Sequence, residues 1–199
     1  GAVQCWGANW SGQLGNGQAS GAQTAPVDVV GISGATSLAS GALHTCAVVG
    51  GQVKCWGSNE LGALGSGQPI TDSAPAPVDA VGMAAAVTVT TGGRHTCALT
   101  TGSDVYCWGE NQWGQVGNGT TDPTPLPVHV VGLGKATAIA AGQNFTCALV
   151  DGDVWCWGFR LNPQFGTSIS YEYSTIPVRV AGITGARTLA AGELHVCAL

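Results

Sequence analysis

The sequence predicts an all-β chain, a β-propeller-type array of four four-stranded blades with about 50 residues per repeat. Three observations carry this. The tripeptide Cys-Trp-Gly occurs four times, beginning at Cys5, Cys55, Cys107 and Cys156, at intervals of 50, 52 and 49 residues. A second cysteine series, Cys46, Cys97, Cys147 and Cys197, keeps the same rhythm, and the two series contain all eight cysteines. Glycine makes up 32 of the 199 residues, and glycine and proline closely punctuate short runs of Val, Thr and Ala, as expected for short strands joined by tight turns. A fixed period means one unit copied four times, approximately 1–46, 47–97, 98–147 and 148–197, in a single array spanning 1–199.

The third unit shows the strand order most clearly. Residues 104–109 alternate and read as a strand. Residues 110–119 form a glycine-rich loop. Residues 125–131 begin with Pro125 and Pro127 and continue as a strand, which suits a sheet edge because proline cannot donate to a ladder. Residues 136–142 and 145–150 give two further strands. A solenoid is the competing architecture for an array, and the antiparallel hairpin inside each unit favours a blade.

That hairpin also places the cysteines. If Asp151-Gly152 forms a two-residue turn, Val150 faces Asp153, Leu149 faces Val154, and Cys147 falls opposite Cys156. Cys46 and Cys55 take the same register around Gly50-Gly51. Cys97 and Cys107 stand one residue further apart, which fits the three-residue loop Thr101-Gly102-Ser103 with a bulge. Opposed residues on antiparallel strands come within disulfide range. We expect bridges Cys46–Cys55, Cys97–Cys107 and Cys147–Cys156, and through them an oxidising, extracellular or cell-surface setting. Zinc sites usually gather ligands through C-x2-4-C knuckles, and none occurs, so no metal is expected.

Composition excludes other classes. Charged residues are 9 % of the chain and the formal charge is −5 with six Lys and Arg, which leaves no basic face for nucleic acid. No run of about 18 apolar residues is present, so no membrane span is expected.

The units resemble the repeat of the regulator of chromosome condensation, which carries V-x-x-W-G-x-N-x-x-G-Q-L-G and later G-x-x-H-T-x-A-L. Here the first reads Val3-Gln4-Cys5-Trp6-Gly7-Ala8-Asn9-Trp10-Ser11-Gly12-Gln13-Leu14-Gly15, and the second Gly41-Ala42-Leu43-His44-Thr45-Cys46-Ala47-Val48. The fourth unit departs at 160–166, and Phe145 replaces the histidine. The added cysteines look like an extracellular bacterial variant. The resemblance implies a propeller, commonly seven-bladed, and for the nuclear relative nucleotide exchange on a small GTPase.

The chain ends fall on either side of one hairpin, with Cys5 on a first strand and Cys197 on a last one, which suggests a processed or excised form. Three arrangements satisfy them: closure of a four-bladed ring, pairing with another chain, or a place in a longer array. Our expectation leans to pairing between neighbours, copies joined head to tail through a Cys197–Cys5 bridge.

The remaining candidates are read against their repeat positions. Trp6, Trp56, Trp108 and Trp157 recur in register and are expected in blade cores. Trp10, Trp113 and Trp155 do not recur and are the candidate partner contacts. His44, His95 and His195 share one repeat position with Phe145 and read as structural, while His129 has no evident partner. Asn9, Asn118 and Asn144 head glycosylation sequons, two of them at repeat positions where chance explains the match. Asp72, Asp122 and Glu172 precede the proline strands, Asp72 and Asp122 as isolated turn residues. No paired carboxylates, no Ser-His-Asp order and no P-loop appear, so no catalytic residue and no cofactor is called for. The favoured function is a non-enzymatic extracellular module for adhesion, assembly or protein binding. The alternatives are exchange-factor activity on a small GTPase and a carbohydrate-active enzyme.

Overall fold

The computed structural model describes residues 1–70, 72–159 and 173–199. The departures expected at 160–166, and Glu172, lie outside the described residues. Sixteen strands follow one another among the described residues: β1 Gln4–Gly7, β2 Gln23–Asp28, β3 Ala35–Ser40, β4 His44–Val49, β5 Gln52–Ser58, β6 Ser73–Asp79, β7 Ala86–Thr91, β8 His95–Thr100, β9 Val105–Gly109, β10 Thr124–His129, β11 Ala136–Ala141, β12 Phe145–Val150, β13 Asp153–Phe159, β14 Tyr173–Arg179, β15 Leu189–Ala191 and β16 Val196–Ala198. Among the described residues one 3-10 turn, Glu60–Gly62, interrupts this order.

They form three complete antiparallel blades, β3-β4-β5-β6, β7-β8-β9-β10 and β11-β12-β13-β14, and two two-stranded sheets, β1-β2 and β15-β16. The two small sheets are complementary halves of a repeat. Cys5 faces Val27 as Cys55 faces Val78 and Cys107 faces Val128, so β1-β2 is a third-and-fourth-strand pair. Cys197 faces Ala190 as Cys46 faces Ala39 and Cys147 faces Ala140, so β15-β16 is a first-and-second-strand pair.

The hairpin registers follow turn chemistry. Asp151 and Gly152 both take positive φ, 51° and 81°, as do Gly50 and Gly51, and Val150 faces Asp153 directly. In the second blade Ser103 adopts φ 63° and absorbs the extra residue. The three bridges form as the registers require, with Cα–Cα distances of 4.1 Å. Cys5 and Cys197 remain thiols within the single chain, Cys5 half-buried and Cys197 exposed, because β1 and β16 belong to separate sheets. Internal closure of a four-bladed ring is therefore not what this chain adopts.

The core lies between blades. One layer joins Cys46, Val48, Val53 and Cys55 to Ala86, Val89, Ala98 and Trp108 of the next blade. The following layer repeats this with Cys97, Leu99, Val105 and Cys107 against Ala136, Ile139, Ala148 and Trp157. Strand alternation produces the pattern: the cystine side of each hairpin looks forward and the tryptophan side looks back. Trp56, Trp108 and Trp157 are fully buried, but Trp6 is 65 % exposed. The expectation for Trp6 fails for a physical reason. The other three are capped by the long loop of the preceding unit, and among the described residues none occupies that place against Trp6.

Candidate interaction face

Antiparallel strands put the loops joining first to second strands (41–43, 92–94, 142–144, 192–194) and those joining third to fourth strands (8–22, 59–72, 110–123) on one face. We call these inner and long loops. The two-residue turns and the connections between blades share the opposite face, where Ala86 N donates to Gly51 O and Ala186 N to Gly152 O.

Each described long loop is folded around one asparagine. Asn9, Asn59 and Asn111 are buried, and their side-chain oxygens accept from Leu14 N (3.0 Å), Leu64 N (3.1 Å) and Val116 N (2.9 Å). Their amide nitrogens donate back across the loop to Gln18 O, Pro69 O and Asp122 O. Asn9 is thus a loop organiser whose amide is already engaged, and its sequon is a consequence of the repeat. The recurrence of Asn at this position was the available signal.

The loops lean onto the next blade. Trp56 Nε1 donates to Gln13 O (3.0 Å), Trp108 Nε1 to Ala63 O and Trp157 Nε1 to Gln115 O (both 2.9 Å). The indole is seated so closely that a Cβ on Gly65, at φ +68°, would stand 2.7 Å from Trp108 Nε1, and only glycine fits.

Beneath the loops, the repeat-position histidines couple neighbouring blades. Thr96 Oγ1 donates to Ala63 O (2.9 Å) and takes the Nε2–H of His44 at 2.9 Å. Thr146 Oγ1 donates to Gln115 O (3.0 Å) and takes the Nε2–H of His95 at 2.9 Å. Both histidines are buried. Burial pushes the His44 imidazole down to about 4, and burial together with His44 pushes His95 down to about 3, so both are neutral bonding groups at ordinary pH. At the third interface Phe145 stands in the histidine position and packs with Val196, which replaces the threonine. His195 is exposed. His129, read from sequence as lacking a partner, has two: its Nε2 lies 3.8 Å from Asp104 Oδ1, and its ring meets Tyr106 edge-on at 5.3 Å. The Lys135 ammonium on Asp104 holds that carboxyl below the usual range.

The three candidate contact tryptophans are not brought together. Trp10 is 71 % exposed on the first long loop. Trp113 is half-buried, tilted against Phe159 at 4.8 Å and edge-on to Tyr173 at 6.2 Å. Trp155 is half-buried and packs with Val128 and Leu133 against the second inter-blade layer.

The inner loops of four consecutive units line an axial cavity of about 440 Å³. Successive loops are joined by Gly93 N donating to Gln143 O (2.9 Å) and Gln143 N to Glu193 O (2.8 Å). Beside it, Arg94 Nε stands 3.3 Å from Glu60 Oε2, and Gln112 Nε2 donates to Glu110 Oε1 at 3.1 Å. Burial raises the Glu110 carboxyl above its ordinary range. Among the described residues no group of three His, Cys, Asp or Glu is placed to hold a metal ion, and no helix is long and apolar enough to cross a membrane.

The profile of the Regulator of chromosome condensation (RCC1) repeat matches residues 1–48, 50–99 and 103–149, and a second RCC1 repeat profile matches 86–115. No curated protein matches the chain. Among solved structures, yeast RCC1 (Prp20) bound to Kap60 superposes with a TM-score of 0.81 at 22 % identity, covering 100 % of this chain and 50 % of that one. Prp20p from Saccharomyces cerevisiae, studied for its binding to Gsp1p and histones, gives 0.80 at 21 % identity, covering 100 % and 52 %. Human WBSCR16 gives 0.63 at 17 % identity, covering 100 % and 72 %. The chain spans about half the length of the yeast proteins, and at these identities the likeness is one of fold.

Proposed function

The chain belongs to the Regulator of chromosome condensation (RCC1) repeat family, and from that premise we propose that it is a non-enzymatic, extracellular or cell-surface propeller module that binds protein. One observation carries the reading: each complete blade is stapled by a cystine buried in the layer it shares with the next blade. Bridges built into the packing of every blade suit an oxidising compartment, where they persist. The loop face, with Trp10 exposed and Trp113 half-buried on it, is where a partner would make contact, and the Trp155 ring lies on a strand away from it. The test is secretion of a tagged chain followed by peptide mapping without reduction. Recovery outside the cell with the three bridges intact supports the reading. Recovery inside the cell with all six thiols free overturns it.

Self-association belongs to the same proposal. β16 carries a second-strand register and β1 a third-strand register, so a strand of the same repeat completes either edge, and a copy of this chain offers both. A ladder on non-reducing electrophoresis that collapses with reductant is the expected result. A monomer with unchanged free thiols at every concentration counts against it.

Exchange-factor activity is the second reading, favoured by the superposition on yeast RCC1. Acceleration of nucleotide release from a small GTPase by the reduced chain would select it over the first.

A further inference from the structure

The charges of the chain divide unevenly between its two faces. Among the described residues, the loop face carries Glu60, Asp72, Glu110, Asp122 and Glu193 against the single base Arg94. Arg94 is already engaged by Glu60. The opposite face is nearly compensated: Lys54 sits on Asp79 at 2.6 Å, Lys135 on Asp104 at 2.7 Å and Arg179 on Asp153 at 2.6 Å, which leaves Asp28 and Asp151 against Arg187. Uncompensated negative charge therefore gathers on the face of the inner and long loops.

The axial cavity belongs to that face, and its lining offers acceptors. Thr91 lines it, is only 8 % exposed, and its hydroxyl has no hydrogen-bond partner. Gln143 and Glu193 add an amide and a carboxylate, while Ala42, Ala141 and Ala191 give apolar wall. The carbonyls of Gly92, Gly142 and Gly192 crowd the preceding unit's glycine, where an added Cβ would lie 2.4 to 2.8 Å from them, so the lining stays narrow and free of side chains at those points. No lysine or arginine of the described residues lines the cavity.

An apolar wall ending in acceptors and a carboxylate matches a side chain with an apolar stem and a charged donor head. We propose that the loop face binds a cationic segment of a partner protein, one lysine or arginine of which enters the axial cavity beside Thr91, Gln143 and Glu193. This rests on the protein-binding reading and adds to it the face and the chemistry of the partner. The segment's remaining bases lie over Asp72 and Asp122, and the field of the face steers the encounter.

The test titrates the whole oxidised chain with a 12-residue peptide of alternating Lys and Ser, and with its Glu-Ser counterpart. The lysine peptide binds with one site per chain, more weakly as salt rises, and the glutamate peptide does not bind. Glu193→Gln, at an exposed position that leaves the melting curve unchanged, weakens binding about two- to five-fold, the size expected for one partly exposed charge pair. Asp151→Asn, on the opposite face, leaves it unchanged. Amide exchange slows at 92–94 and 142–144 on binding. Absence of binding overturns the inference, as does equal weakening by Glu193→Gln and Asp151→Asn, which marks diffuse attraction. A protein partner whose footprint maps to the turns at 50–51 and 151–152 also overturns it, while leaving the protein-binding reading intact.

Discussion

The first two blade interfaces and the third solve the same packing problem with different chemistry. Between the first and second blades, and again between the second and third, a buried histidine donates to a threonine whose hydroxyl reaches the carbonyl of the covering loop. Between the third blade and β15-β16 the pair is Phe145 with Val196. The two positions changed together. A histidine facing Val196 would bury a donor without an acceptor, which costs about 1–3 kcal/mol; the aromatic–aliphatic pair avoids that cost by giving up the bond. The unit of design is thus the pair across the interface, and a substitution that looks like decay within one repeat is matched by its neighbour.

The largest expected effect concerns what the interfaces share. Trp108→Ala and Trp157→Ala should each cost about 3–5 kcal/mol, since each removes a fully buried ring and one of the two donors on the covering loop's carbonyl. Trp6→Ala, at an exposed ring, should cost less than about 1 kcal/mol. Denaturant midpoints on the three variants check this, and equal losses would remove the distinction between capped and uncapped indoles. Next comes reduction of the bridges, each closing a short hairpin and contributing about 2–3 kcal/mol on the chain-entropy account. Cys97→Ala with Cys107→Ala, followed by thermal melting, measures one bridge at an interface with the histidine pair. The same change at Cys147 and Cys156 measures one at the apolar interface.

The comparison itself is sharpened by a double-mutant cycle. His95→Phe alone and Thr146→Val alone should each destabilise by about 1–3 kcal/mol, and the double change should recover most of the loss by recreating the pair seen at the third interface. Additive losses would show that Phe145 and Val196 are unrelated. A further test is pH. His44 and His95 are held neutral in the fold at about 4 and about 3, while the unfolded chain takes up protons near 6.5. The unfolded state then binds more protons in that window, so stability falls as pH drops from about 6.5 towards 4 for His44 and towards 3 for His95, at no more than about 1.4 kcal/mol per pH unit for each. Urea midpoints between pH 7 and pH 4 read the slope, and the double variant should flatten the His95 share of it.

Most of the frame was legible because it is written in local spacing. Paired cysteines nine or ten positions apart, with Gly-Gly, Asp-Gly or Thr-Gly-Ser at the turn between them, leave one register for each hairpin, and all three bridges take it. What was hidden lies between units. Trp6 reads like its equivalents along the chain and differs only in what covers it. Asn9 reads as a sequon, and its hydrogen bonds to Leu14 and Gln18 appear only once the loop closes. The His44–Thr96 and His95–Thr146 pairs span 52 and 51 residues. One signal was nonetheless present: Phe145 and Val196 break the repeat pattern at the two positions that meet.

The forward lean of the long loops gives the array a direction. Trp56, Trp108 and Trp157 are each roofed by a loop that precedes them in the chain, so a unit leaving the ribosome finds its cover already made. A blade cut out at its sheet boundaries would leave its roof behind on its predecessor and carry away the roof of its successor. A graft that respects the physics runs from one long loop to the next, across the groove between blades, so that each transplanted indole travels with its own shelter.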